Sequence, residues 1–280
     1  MLRPFSRKIP FSFSAAALTV LLVACSSSTR ENVTIYEAAS GPVKGWSHIV
    51  TNPEKFPLIA LAKDKYAVDD RSVSVDEASS GKRVFRTVLV RKMSNWGQQH
   101  ANGIEPVFFD RPLKVGDVDT VTLRIKLNAE DSMIPTPSDL SEHYGGHLSE
   151  EQVYQLDRGI PCLGLTFVEP GYNDQSVESL NAVYFLEFDP ERDFDRWLEL
   201  TLPLSDFTFG FEENYAFRKV ARSEVQDREL IGFRINPEAT GGGVARNFIG
   251  DDWDDSVPEL YKELSISLES VTASVQRGGE

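Results

Sequence analysis

The chain has 280 residues, room for one large or two small domains, and 41% hydrophobic content with 17 Phe is enough for a sizeable core. A net charge of −14 repels nucleic acid and anionic polymers at long range, and leaves neutral glycans, cations and basic proteins as partners. A sulfated or uronate glycan would need a local basic cleft working against that field.

In chain order, Arg3, Arg7 and Lys8 precede an apolar run over residues 11–24, the pattern of a secretory signal. Its end, Leu22-Val23-Ala24-Cys25, resembles a bacterial lipobox. That resemblance implies a signal peptide over 1–24 and a mature N-terminus at Cys25 carrying two acyl chains, palmitate among them. Loss of the three basic residues takes the charge from −14 to −17. Two acyl chains anchor a protein stably where one is marginal. Ser26 stands where an Asp would signal inner-membrane retention, which points to the outer membrane, on its periplasmic or its surface side. An ordinary cleaved signal with a chance Cys is the alternative. Cys162 is the only other cysteine, so no intramolecular disulfide is available, and its apolar setting over 160–165 predicts a buried, inert thiol.

Residues 25–34 read as a lipidated polar tether and 35–64 as an irregular N-terminal arm or short strands packed on the body. Residues 65–277 read as one β domain. A weakly alternating stretch at 65–76 is followed by a good strand at 83–93, with Val84, Arg86, Val88 and Val90 on one face and Phe85, Thr87, Leu89 and Arg91 on the other. Residues 94–103 are polar and Gly-bearing around Trp96; structure resumes at 106–109, turns at 115–117 and enters a second strand at 120–127. Residues 128–159 read as an insertion with one short helix over 150–156, announced by the capping-box pattern Ser149 to Gln152. Strands are predicted at 162–168, 182–188, 198–204 and 229–235, and unbroken alternation over 262–275 closes the fold. Seven or eight strands with little helix predict an all-β protein, an antiparallel β-sandwich.

Residues 197–207, WLELTLPLSDF, set Leu198, Leu200, Leu202 and Leu204 against Glu199, Thr201 and Pro203, a strand with one wet face that stops at the proline. With RPLKVGDVDTVTLRIKL at 111–127 and IGFRI at 231–235, this stretch resembles the non-catalytic carbohydrate-binding jelly rolls of the galactose-binding-like type. The resemblance covers about residues 65–275 and implies a jelly-roll β-sandwich that binds polysaccharide or oligosaccharide.

Such binding places aromatic rings on the apolar faces of sugars, with polar side chains aimed at the hydroxyls. Trp96 is the best supplied candidate, with Gln98 and His100 beside it; Tyr144, Tyr172 and Trp253 also lie in polar segments. Trp197, at the start of a core strand, reads as packing. Arg86 and Arg124 come from different strands and form the better pair of strand arginines, as sugar ligands or as partners in cross-strand ion pairs. His143 and His147 with Glu150 and Glu151 have zinc-like spacing, but Gly145-Gly146 argues against the helix it needs. The resemblance also implies one structural calcium, with early ligands among Asp70, Asp76 and Glu77 and a late one at Glu269, where those modules show Asp-Asp.

An enzyme reading rests on Glu187-Phe188-Asp189-Pro190-Glu191. E-x-D-x-E on one strand face resembles the signature of laminarinase-type retaining glycoside hydrolases, whose two carboxylates lie about 5 Å apart. Pro190 interrupts the strand where that motif must be regular. No G-x-S-x-G elbow or phosphate loop is present. The expectation is therefore a lipid-anchored envelope protein, not an enzyme, that captures a glycan without cleaving it. The alternatives are a structural or protein-interaction lipoprotein of the envelope, and a retaining glycosidase using Glu187 and Glu191.

Overall fold

Period-2 alternation in these segments builds two antiparallel sheets in the computed structural model, which describes residues 30–38, 45–46, 73–77, 82–94, 97–100, 103–143, 148–172, 176–213, 216–240 and 260–276. Sheet A runs in the order β10 (Leu198–Pro203), β7 (Val118–Met133), β14 (Leu260–Gln276), β4 (Lys82–Ser94), β3 (Val73–Glu77). Two further strands join it, β1 (Arg30–Glu37) on β14 and β5 (Gly97–His100) on β4. Sheet B runs β12 (Ala216–Val220), β11 (Thr208–Glu213), β9 (Ser179–Glu187), β8 (Cys162–Val168), β13 (Glu229–Glu238), β6 (Gly103–Lys114), β2 (Gly45–Trp46). The chain is thus an all-β antiparallel sandwich of the jelly-roll kind.

The inner rows meet as expected for packed sheets. Val121, Leu123, Ile125 and Leu127 of β7 join Leu264, Ile266 and Leu268 of β14, and Phe85 and Leu89 of β4, in one buried cluster with Leu163, Leu165, Phe167, Phe233 and Ile235 of sheet B. Phe167 lies at its aromatic centre, 5.8 Å from Phe207, 6.0 Å from Phe109 and 6.2 Å from Phe233 between ring centroids. Each such side chain contributes about 1.5–3 kcal/mol by leaving water. In β10 the leucines face this core; Pro203 closes an edge strand, where its missing N–H costs no central ladder bond. One 3₁₀ turn, Leu204–Asp206, then returns Phe207 to the core.

Helix α1 spans Pro137–His143 and α2 spans Glu150–Leu156. The capping box at α2 forms as read: Ser149 Oγ accepts the Gln152 N–H at 3.3 Å, and Gln152 Oε1 accepts the Ser149 N–H at 2.8 Å. A one-turn helix, α3, spans Pro190–Asp193. No described helix is long and apolar enough to cross a membrane.

Four expectations are corrected. Residues 30–34 are not a tether, because their polar-apolar alternation pairs them with the last strand as β1, which 35–37 continue as the short strand that was the alternative to an irregular arm. The strand at 120–127 continues to Met133, so the insertion begins later than residue 128. Alternation in β14 is broken at Glu269-Ser270: Leu268 pairs with Ile125 and Ser270 with Arg124, leaving Glu269 as the extra residue of a bulge. Lastly, the segment after Phe207 carries two strands, β11 and β12, that were not predicted.

At one end of the sandwich the inner face turns ionic. Lys262 and Arg91 are cross-strand partners on sheet A, and both are buried. Lys262 Nζ donates to Asp157 Oδ2 at 2.9 Å, to Asp157 Oδ1 at 3.3 Å and to Ile160 O at 2.5 Å. Thr240 Oγ1 and the Gly159 N–H complete the shell of Asp157 at 3.0 and 2.9 Å. Arg91 bonds Glu238 Oε2 at 2.6 Å and Pro237 O at 3.0 Å. Burial pushes the Lys262 ammonium pKa down and the Glu238 carboxyl pKa up, while Asp157 and Arg91 respectively oppose those shifts. Cys162 is buried and free, and burial pushes its thiol up to about 12, the inert thiol expected. Lys262→Met leaves Asp157 buried without its counter-ion, and a loss of about 3–5 kcal/mol is expected, read as a lower urea midpoint.

Candidate functional site

The reverse face of sheet A collects polar side chains, because every second residue of its strands points away from the core. Thr122, Arg124, Lys126 and Asn128 of β7 lie there, beside Ser265, Ser267 and Glu269 of β14, Glu199 and Thr201 of β10, and Arg86 of β4. Trp197 precedes β10 with the parity of Glu199 and Thr201, so it belongs to this outer face. Its half-buried indole has Arg124 Cζ and Lys126 Nζ over the ring, each 5.5 Å from the centroid. Trp197 does pack, but on the outer face against Arg124 and Lys126 and not with the core row of its strand.

Two local devices shape the face. β7 carries four residues, 129–132, where β14 carries only Leu264. That excursion brings Glu130 and Asp131 onto Arg86, at 2.8 and 2.5 Å. Ser132 Oγ takes the place of a ladder acceptor by receiving the Ser265 N–H at 2.9 Å. Asn128 Nδ2 reaches the hydroxyls of Ser265 and Ser267, each at 3.2 Å. The second device is the turn before Trp197. Asp195 adopts φ 56°, a left-handed conformation that a short polar side chain tolerates. Its N–H donates to Leu127 O at 2.8 Å and its Oδ1 accepts the Ala129 N–H at 2.9 Å, which pins the turn to β7. Asp193, buried, receives Arg192 Nε at 2.9 Å, Arg196 Nη2 at 3.2 Å and the Asp189 N–H at 2.9 Å. The hydrogen bond from Arg192, then the Asp189 N–H and both positive charges, hold its carboxyl down at about 2 against the opposing effect of burial.

Arg86 and Arg124, the pair of strand arginines singled out in the sequence, lie on one face, and each is taken up by carboxylates. Arg124 Nε donates to Glu269 Oε2 at 2.7 Å, and its Nη1 lies 3.9 Å from Glu199. Glu269, expected as the late calcium ligand, therefore serves a guanidinium, whose positive charge disfavours a cation at the same oxygen. Asp76 and Glu77 stand on β3 opposite Arg83 and Lys82. Gln98 and His100 stand on β5 opposite Met93 and Arg91. Among the described residues no group of three or more His, Cys, Asp or Glu is placed to hold a metal ion. Cys25, Asp70, Trp96, Tyr144, His147 and Trp253 lie outside the described residues.

The E-x-D-x-E stretch does not form one strand face. Glu187 ends β9 and pairs with Arg158; Asp189 caps α3 by accepting the Glu191 N–H at 3.0 Å; Glu191 is exposed in that turn. Pro190, at the first helical position, bends the chain out of the sheet.

No known family matches the chain, and no curated protein matches it. Among solved structures, a Bacteroides ovatus mixed-linkage glucan PUL GH16, in complex with a G4G4G3G product, is similar at 10% identity and a TM-score of 0.30, over 88% of this chain and 95% of that one. The expectation that the chain is not an enzyme is not upheld: the similar structure is that of a GH16 glycoside hydrolase, and at a TM-score of 0.30 it carries no argument about activity in either direction. A likeness at that level says nothing of which residues act.

Because the pKa of Asp193 is depressed on folding, its contribution is present above pH about 4 and is lost as pH falls toward its folded pKa of about 2. Asp193→Asn is expected to cost about 1–3 kcal/mol at neutral pH and to flatten the stability profile between pH about 4 and 2, measured by denaturant unfolding across that range.

Proposed function

We propose that the protein binds an uncharged glycan on the outer face of sheet A and is held at the outer membrane by acyl chains on Cys25. The observation that carries the binding reading is the Trp197 indole beside Arg124 and Lys126, in a field of hydroxyl, amide and carboxylate groups. A sugar that displaces Lys126 or Arg124 from the indole would meet a flat apolar face for its C–H face, and the accessible Thr122, Glu199 and Thr201 beside it suit its hydroxyls. Arg124 is fixed by Glu269 and Arg86 by Glu130 and Asp131, so these groups meet a ligand with their rotamers already restricted. The charge of −14 supports an uncharged polymer over an acidic one. The lipobox-like Leu22-Val23-Ala24-Cys25 supports the anchor.

Native gels cast with starch, a mixed-linkage glucan, a galactomannan or a xylan test the binding. Retardation by one of these polymers is expected, with affinity falling about tenfold or more in Trp197→Ala. Absence of retardation by all of them sinks the reading. Reducing ends released from a retarding polymer would establish in the same samples that it is also cleaved. For the anchor, Cys25→Ser is expected to move the protein from the membrane to the soluble fraction on cell fractionation; retention in the membrane overturns lipidation.

A further inference from the structure

The outer face of sheet B holds a second polar floor, remote in topology from Trp197. Asn181 of β9 stands between Gly210 of β11 and Val168 of β8. Arg234 of β13 stands opposite Thr166, and Asn236 opposite Gly164. These side chains point away from the core row of Phe167, Ala182, Phe209 and Phe233. Asn181 Nδ2 donates to Glu212 Oε2 at 3.2 Å and to Ser179 O at 3.5 Å; Arg234 Nη2 lies 4.0 Å from the same Glu212 oxygen. Three buried polar atoms on this face have no partner: Asn181 Oδ1, Arg234 Nε and Asn236 Oδ1. Asn181 and Asn236 are only 1% and 5% exposed, whereas Glu212 opens the cluster to solvent at 39%.

Buried polar atoms are rarely left without partners, and three on one sheet face are met either by ordered water or by a ligand whose groups replace it. Two amide oxygens require donors, and one guanidinium N–H requires an acceptor. An anion cannot donate to the amides and is repelled by Glu212; a cation is repelled by Arg234. A hydroxyl group both donates and accepts, so hydroxyls on successive rings of an uncharged oligosaccharide satisfy the set. Aromatic side chains stand on either side: Phe185 is across Gly164 from Asn236, with the Glu238 side chain lying over Gly164 between them, and the Phe217 ring lies on Gly210 beside Asn181, so close that a Cβ there would come within 2.4 Å of it.

We propose that the outer face of sheet B, floored by Asn181, Arg234 and Asn236, is a second site for the hydroxyls of an uncharged sugar. It deepens the glycan reading, on which it rests for the ligand class, by adding a face that binds independently of Trp197. The test is NMR of the ¹⁵N-labelled protein titrated with maltotetraose, laminaritetraose, cellotetraose and xylotetraose. It follows the Arg234 Nε–H signal, assigned by its loss in Arg234→Lys, and the Trp197 indole N–H. With one of these sugars the Arg234 signal is expected to shift, and to shift equally in Trp197→Ala. Asn181→Ala is expected to weaken that response about tenfold or more while the Trp197 response stays; Asn236→Ala replaces it should Asn181→Ala not fold. A silent Arg234 with a responding Trp197 overturns the second site alone. Loss of the Arg234 response in Trp197→Ala also overturns it, since the two faces would then report one binding event. Silence at both signals overturns this inference and the proposed function together.

Discussion

Sheet A depends on the pairing of its last strand. β14 lies between β7 and β4 and also takes β1, so the two ends of the described chain meet on it. A strand bound on both sides has no free edge, and it must satisfy two faces at once. Its inner row, Leu264, Ile266 and Leu268, belongs to the core; its outer row, Ser265, Ser267 and Glu269, belongs to the candidate site. Between the rows, the bulge at Glu269 turns one residue out of register and sets its carboxylate against Arg124. Core and site are thus alternate faces of one ladder, and a register slip by one residue would exchange them.

Polar groups inside this sandwich are organised rather than scattered. Lys262, the third residue of β14, sets its ammonium on Asp157, the residue that closes α2, while Arg91 on the neighbouring strand holds Glu238 of sheet B. One pair ties a sheet to a helix and the other ties the two sheets. Buried ion pairs of this kind add little net stability over apolar packing, but they penalise any arrangement that separates the partners. Specificity of sheet docking is the physical return for desolvating four charges.

The same logic operates at the turn before β10. Asp193 gathers Arg192, Arg196 and a backbone N–H, and Asp195 accepts a left-handed backbone in exchange for two bonds to β7. Without those fixings the indole of Trp197 would sit on a loop with freedom of its own; with them it is registered against Arg124 and Lys126.

What the sequence determined was whatever local periodicity and local chemistry encode. Alternation at 83–93, 120–127, 162–168 and 262–275 marked strands that form, Ser149 to Gln152 marked a helix start that forms, and the leucines of 198–204 marked a core face that forms. The outer placement of Trp197 and the break at Glu269-Ser270 were missed, although the parity of Trp197 with Glu199 and Thr201 and the two successive polar residues in β14 carried both. β11 and β12 were not legible, because a short Phe-Gly-Phe run after a turn has no pattern long enough to read. Only the tertiary structure decided which strands are neighbours, and hence that Arg124 meets Glu269, that Arg86 meets Glu130 and Asp131, and that Asn181, Glu212 and Arg234 converge. Those contacts join residues far apart along the chain, through pairings that sequence spacing does not encode. The E-x-D-x-E stretch shows the converse: its spacing promised one face, and the proline and the Asp189 cap turned the chain into a helix instead.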